Sequence, residues 1–256
     1  MTKSVAIVTG ASSGIGRATA LRLARDFSAV TLAARSGEGL GKVGEAVQAA
    51  GAEPLLVEGD LSLPATVDLV VKRTLEKFGR IDALLNIAGA VPGTDLFEMT
   101  DDQWNVGAEL KLHGARRLTI RAWDALKASK GAVVLMSGAS GQVPTASAAA
   151  VGVINAAITA LAKAFADRGV ADGVQVNSVS PGAVMTGRRL GMIEKFATAR
   201  GITVEEAKHK MLAQAGVARF GEPEEIAELM AFLVSPGARW MTGASLRIDG
   251  GEVKAV

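Results

Sequence analysis

Short runs of β-branched and aliphatic residues alternate along this chain with longer stretches whose apolar positions recur at helical spacing. The runs Val5–Val8, Val30–Ala33, Glu53–Val57, Ala83–Asn86, Ala132–Met136, Val174–Val179 and Ser245–Ile248 predict strands. Most are apolar without interruption, as strands covered on both faces are. Between them, Gly14–Arg25, Gly39–Ala50, Pro64–Phe78, Asp101–Ala128, Ser147–Arg168 and Pro223–Val234 predict helices. Strand alternating with helix implies a Rossmann-type, doubly wound α/β fold: a parallel sheet of about seven strands with helices on both faces.

No repeat, Pro/Ser-rich linker or shift in composition divides the 256 residues, so residues 1–256 are expected to form a single domain. Residues 186–220, between the sixth strand and the last helix, exceed an ordinary connection and carry helical spacing of their own. They are expected to form a lid.

Composition removes several function classes. Lysine and arginine number 28 against 26 aspartates and glutamates, so the pI of 9.0 reflects near balance and nucleic acid is not an expected partner. The absence of cysteine excludes disulfides, thiol catalysis and thiolate zinc sites. No metal site is expected, because His113 and His209 are the only histidines and neither has a carboxylate cluster at ligand spacing. Val5–Val8 meets a glycine-rich turn too early to act as the apolar region of a signal peptide. The stretch between Lys130 and Lys163 lacks charge, but Ser137, Gly138, Ser140, Gly141, Gln142 and Pro144 interrupt it. A buried strand and helix are expected there, not a membrane span, and the chain is expected to be cytoplasmic.

The first strand ends in Thr9-Gly10-Ala11-Ser12-Ser13-Gly14-Ile15-Gly16-Arg17, immediately before a helix. Glycines in that position let backbone N–H groups at a helix N-terminus approach a pyrophosphate. The spelling T-G-x-x-x-G-x-G resembles the short-chain dehydrogenase/reductase family, and further motifs follow in the family's order. Asp60-Leu61 resembles the pair beside the adenine ring, and Asn86-Ile87-Ala88-Gly89 resembles the N-N-A-G segment. Asn177 to Gly182 with Thr186 resembles the stretch on the nicotinamide side, and Gly243 with Asp249-Gly250-Gly251 the C-terminal ending. The resemblance spans nearly the whole chain and implies a dinucleotide held by Gly10, Ser12, Ser13, Gly14, Ile15, Gly16, Asp60, Leu61, Asn86, Ala88, Gly89, Pro181, Gly182 and Thr186. At the end of the second strand the chain reads Ala33-Ala34-Arg35-Ser36, with no carboxylate to accept from ribose hydroxyls. Arg35 and Ser36 therefore favour NADP(H) over NAD(H).

The catalytic residues that the resemblance implies are another matter. The family's asparagine, serine, tyrosine and lysine fall on Lys111, Gly138, Val151 and Asn155, and tyrosine is absent from the chain altogether. Valine has no proton to give and glycine no side chain. Lysine and asparagine stand exchanged. Lys111 is expected either to project its ammonium toward the cofactor ribose, with a pKa lowered by burial, or to be a solvent-seeking helix lysine. Ser137, Ser140 and His113 are alternative donors. His113, two residues from Lys111, is not expected to share its helix face.

The basic residues of the lid segment, Arg188, Arg189, Lys195, Arg200, Lys208 and Lys210, are partly offset by Glu194, Glu205 and Glu206. The long Asp101–Ala128 helix and the alanine-rich Ser147–Arg168 helix resemble the pair through which family members form homodimers and homotetramers. Two functions stay open: an oxidoreductase of unusual chemistry on a small carbonyl or alcohol substrate, and a catalytically silent NADP(H)-binding sensor or structural subunit.

Overall fold

In the computed structural model, which describes residues 4–254, seven strands form one sheet. They are β1 (Val5–Thr9), β2 (Ala29–Ala34), β3 (Glu53–Glu58), β4 (Ala83–Asn86), β5 (Ala132–Met136), β6 (Gln175–Pro181) and β7 (Ser245–Ile248). Their order is β3-β2-β1-β4-β5-β6-β7, and every neighbouring pair is parallel. The direction of winding reverses between β1 and β4, which opens a crevice at their carboxyl ends, the usual ligand position in such sheets.

Helices cover both faces: α1 (Gly14–Leu23), α2 (Gly37–Ala49) and α9 (Pro223–Leu233) on one, α3 (Pro64–Phe78), α5 (Ala115–Ser129) and α6 (Ala149–Asp172) on the other. Successive strand residues point to opposite faces. Thus Ala6 and Val8 of β1 join Leu40, Val43 and Met230 in one core, while Ile7 joins Val70, Leu118 and Ile158 in the other. The uncharged stretch is β5 followed by α6. Although α6 with its preceding turn is long and apolar enough to cross a membrane, it lies on β5 and β6 and buries Ile154, Ile158, Ala162 and Ala166.

The stretch expected as one helix over residues 101–128 is continuous but not uniform. Between α4 (Asp101–Gly107) and α5, residues Ala108–Gly114 wind as a π-helix, a rare form concentrated at functional sites. Lys111 stands at its centre. A capping box of Thr100 and Gln103 starts α4.

The expected lid contains α7 (Gly187–Arg200) and α8 (Val204–Ala215). These pack through a small core of their own, formed by Ala183, Ile193, Ala197, Ala207 and Phe220.

Candidate cofactor cleft and active site

A cleft of about 430 Å³ opens at the carboxyl ends of the strands. Of the residues expected at a dinucleotide, Gly10, Ser12, Ser13, Gly14, Ile15, Gly16, Arg35, Ser36, Leu61, Ala88, Gly89 and Thr186 line it together. Two glycines explain why the turn has its shape. Gly10 has φ +66°, a left-handed conformation, and a Cβ there would lie 3.1 Å from Ala88 Cα. At Gly16 a Cβ would fall 2.1 Å from the carbonyl oxygen of Gly10, so the turn closes only without a side chain. Thr9 fixes the neighbouring loop. Its buried Oγ1 accepts from the backbone N–H groups of Ile87 (2.8 Å) and Ala88 (3.0 Å), tying the end of β1 to the end of β4.

Four expected residues stand outside the lining. The Asp60 carboxylate accepts from the N–H of Ser62 at 2.9 Å, which, with Arg35 as a lesser influence, holds its pKa below the usual range. Asn86 is buried and donates to Thr119 Oγ1 at 3.1 Å. Pro181 ends β6, and Gly182 packs so close to Asp249 that a Cβ would lie 2.8 Å from its Cα. These positions shape the backbone around the cleft. Conversely, Leu110, Met136 and Arg188 line it, though the motifs pointed to none of them as cofactor contacts. Only Arg188 had a signal, its charge in the segment 186–220. It donates to the carbonyl of Gly89 at 3.0 Å, joining α7 to the loop after β4.

Beside the cleft, next to its lining residues Gly89, Leu110 and Met136, residues distant in sequence converge on Lys111, which is not itself part of the lining. Its ammonium donates to the carbonyl of Ser137 (2.9 Å) and to Oδ1 of Asn155 (2.5 Å). Its methylenes lie against Gly89, where a Cβ would be 3.0 Å from Lys111 Cδ. Burial pulls its pKa from 10.5 down to about 8, and the charge of Arg188 adds to the effect. The part-buried Lys111 thus spends its ammonium on two protein oxygens. The amide nitrogen of Asn155, itself buried, donates to Ser140 Oγ at 2.8 Å.

Gly138 fits this arrangement by its size. A Cβ there would stand 2.6 Å from the Asn155 amide nitrogen, while its φ of 171° is ordinary extended backbone. Ser137 is buried, donating to the carbonyl of Asn155 (2.7 Å) and accepting from Thr159 Oγ1 (3.1 Å). Val151 lies one turn before Asn155 on α6 and is half-buried. His113 does not join the group; its Nδ1 is buried without a hydrogen-bond partner among the described residues. Those residues contain no cluster of metal-ligating side chains.

Residues 10–252 match the family model described as enoyl-(acyl carrier protein) reductase. The chain belongs to the short-chain dehydrogenase/reductase family. A 3-oxoacyl-(acyl-carrier-protein) reductase of Staphylococcus aureus is 31% identical over 253 residues, 98% of each chain. The corresponding reductase of Synechocystis is 32% identical over 256 residues, covering 99% of this chain and 98% of its own length. Among solved structures, the L-sorbose reductase of Gluconobacter frateurii, complexed with NADPH and L-sorbose, superposes with a TM-score of 0.95 at 28% identity over 100% of this chain and 98% of that one. An actinorhodin polyketide ketoreductase with NADPH gives a TM-score of 0.92 at 30% identity, covering 98% and 97%. Like these family members, the chain carries the seven-stranded parallel sheet with its cleft at the strand ends.

Proposed function

We propose that this chain is an NADP(H)-dependent reductase of a small carbonyl substrate, with Lys111 as the ionisable group at its reacting end. One observation carries the reading: the cleft at the strand ends is lined by the glycine turn, Arg35 and Arg188, and by no acidic side chain among the described residues. The cradle fits a dinucleotide, because the backbone closes at Gly10 and Gly16 in a way that a Cβ would block. The N-terminus of α1 would hold the pyrophosphate, Arg35 and Ser36 the 2′-phosphate, and Leu61 the adenine side. The two NADPH complexes among the structural relatives support that preference.

Bound NADPH supplies a hydride to a carbonyl carbon, and the protein must then deal with the charge on the oxygen. In this chain the positions of the family's proton-handling residues carry Lys111, Gly138, Val151 and Asn155. The positive charge held by Asn155 and the Ser137 carbonyl remains available to offset a developing oxyanion. Val151, which has no proton to give, favours a second reading, a catalytically silent dinucleotide-binding subunit. We further propose a homo-oligomer assembled through α5 and α6, whose exposed Ile120 and Val153 have no cover within one chain.

Fluorescence titration with NADPH and NADH tests the cofactor. Tighter binding of NADPH is expected, and failure of both at millimolar concentration overturns both readings. Oxidation of NADPH in the presence of small ketones, β-keto thioesters or quinones then separates enzyme from silent subunit.

A further inference from the structure

We propose that the hydroxyl of Ser140 is the group that meets the substrate's oxygen, and that Lys111 and Asn155 are positioning residues which hold it as a donor. The proposal rests on the reductase reading above. A lysine ammonium only donates hydrogen bonds, so Oδ1 of Asn155 must face it and Nδ2 must face the other way. That nitrogen donates to Ser140 Oγ, filling one of its lone pairs. The proton of Ser140 is thereby left unspent, and among the described residues nothing else accepts it. Its side chain is partly exposed.

The neighbouring candidates are excluded by their own partners. Ser137 spends its proton on the carbonyl of Asn155 and is buried. Thr159 donates to Ser137. Gly138, by having no side chain, leaves room for the Asn155 amide to reach Ser140. The four departures from the family pattern thus act together: one lysine orients one amide, the amide orients one hydroxyl, and glycine clears the path.

In the step itself, the carbonyl carbon gains the hydride with its electron pair and the C–O π pair moves to oxygen. The oxygen takes the Ser140 proton, and Oγ, which is partly exposed, recovers one from solvent water, the hydroxide so formed being neutralised by the buffer, so that one proton is consumed per hydride transferred. Lys111 keeps its proton and acts through its charge. Arg188 is the charged group that faces it from α7. On its own helix, Glu109 is engaged by Arg117 at 2.8 Å, and His113 carries the buried, unpartnered Nδ1. Gly89, Ser137 and Asn155, which pack on it from other elements, bring no charge.

The test compares 2,3-butanedione with 9,10-phenanthrenequinone as oxidants of NADPH. The quinone's reduced oxygen is far less basic than an alkoxide and needs little help from a donor. In Ser140→Ala, turnover of the dione is expected to fall about 100- to 1,000-fold, the usual loss for one oxyanion donor. Turnover of the quinone should fall much less, NADPH affinity should be unchanged, and Ser140→Thr should restore the dione reaction. Equal losses on both probes, retained dione turnover in Ser140→Ala, or a wild type that reduces only the quinone overturns the proposal. A wild type that binds NADPH and reduces neither overturns the reductase reading as well. A second readout needs no cofactor: the Lys111 amine, followed by NMR, is expected to titrate at higher pH in Asn155→Asp than in wild type. An unmoved midpoint removes Asn155 as its partner.

Discussion

Replacing Lys111 by methionine preserves much of the side chain's length and removes its charge, and the consequence is a change in how stability follows pH. Burial lowers the pKa of Lys111 from 10.5 to about 8, so the folded protein holds this proton less tightly than the unfolded chain does. One pH unit corresponds to about 1.36 kcal/mol. Below pH 8 both states are protonated, and the folded state carries the full cost of the buried charge, at most about 3 kcal/mol because the side chain keeps some contact with solvent. Between about pH 8 and 10.5 the unfolded chain still binds a proton that the folded chain has released. The contribution of Lys111 to stability therefore rises with pH across that window. Urea unfolding of wild type and Lys111→Met at pH 7 and pH 10 reads this directly, since the other titrating groups are common to both proteins and largely cancel. The stability of wild type minus that of the variant should increase by up to about 2.5 kcal/mol from the lower to the higher pH. The hydrogen bonds to Ser137 and Asn155 change the size of the difference at pH 7 but not the direction of its trend. A difference that stays flat from pH 7 to 10 would refute the buried, depressed lysine.

Other substitutions probe the remaining parts of the site. Gly138→Ser, which restores the family's residue alone, should lower melting temperature and activity because its Cβ would lie 2.6 Å from the Asn155 amide; changing all four positions together to the family pattern should be better tolerated. Arg35→Ala should weaken NADPH binding at least tenfold, about the loss of one charged hydrogen bond, and leave NADH binding nearly unchanged in fluorescence titration. Thr9→Val leaves two N–H groups, the buried one of Ile87 and the part-buried one of Ala88, without their acceptor. It should cost about 2–4 kcal/mol in chemical denaturation and weaken cofactor binding with it.

Strands and glycine turn were readable because their signals are local. Val5–Val8 is apolar without interruption and meets a glycine turn directly, so a buried parallel strand ending at a glycine turn and a helix N-terminus follows from a dozen consecutive letters. The encounter of Lys111 with Asn155 spans 44 residues and two helices, and no periodicity reports it. Motif spelling also conflates two roles. Gly10 and Gly16 line the cleft, whereas Asn86 and Gly182 belong to equally recognisable motifs and are engaged in packing behind it. The size requirement at Gly138 was hidden for the same reason, since it exists only once Asn155 is in place. Helical winding between residues 108 and 114 left no mark either, because its apolar residues also satisfy an ordinary α-helical stripe.

That winding makes the site sensitive to length as well as to lettering. In an ordinary helix each residue advances the side chains by about 100°. In Ala108–Gly114 the hydrogen bonds reach one residue further along the chain, so the segment holds about one residue more than an ordinary helix making the same turn; removing one would let α4 and α5 keep their buried faces while the residues between them rotate. A chain lacking Ala108 would retain every side chain named at the reacting end. It would nevertheless carry a lysine that titrates near its ordinary pH, parted from the asparagine it now meets.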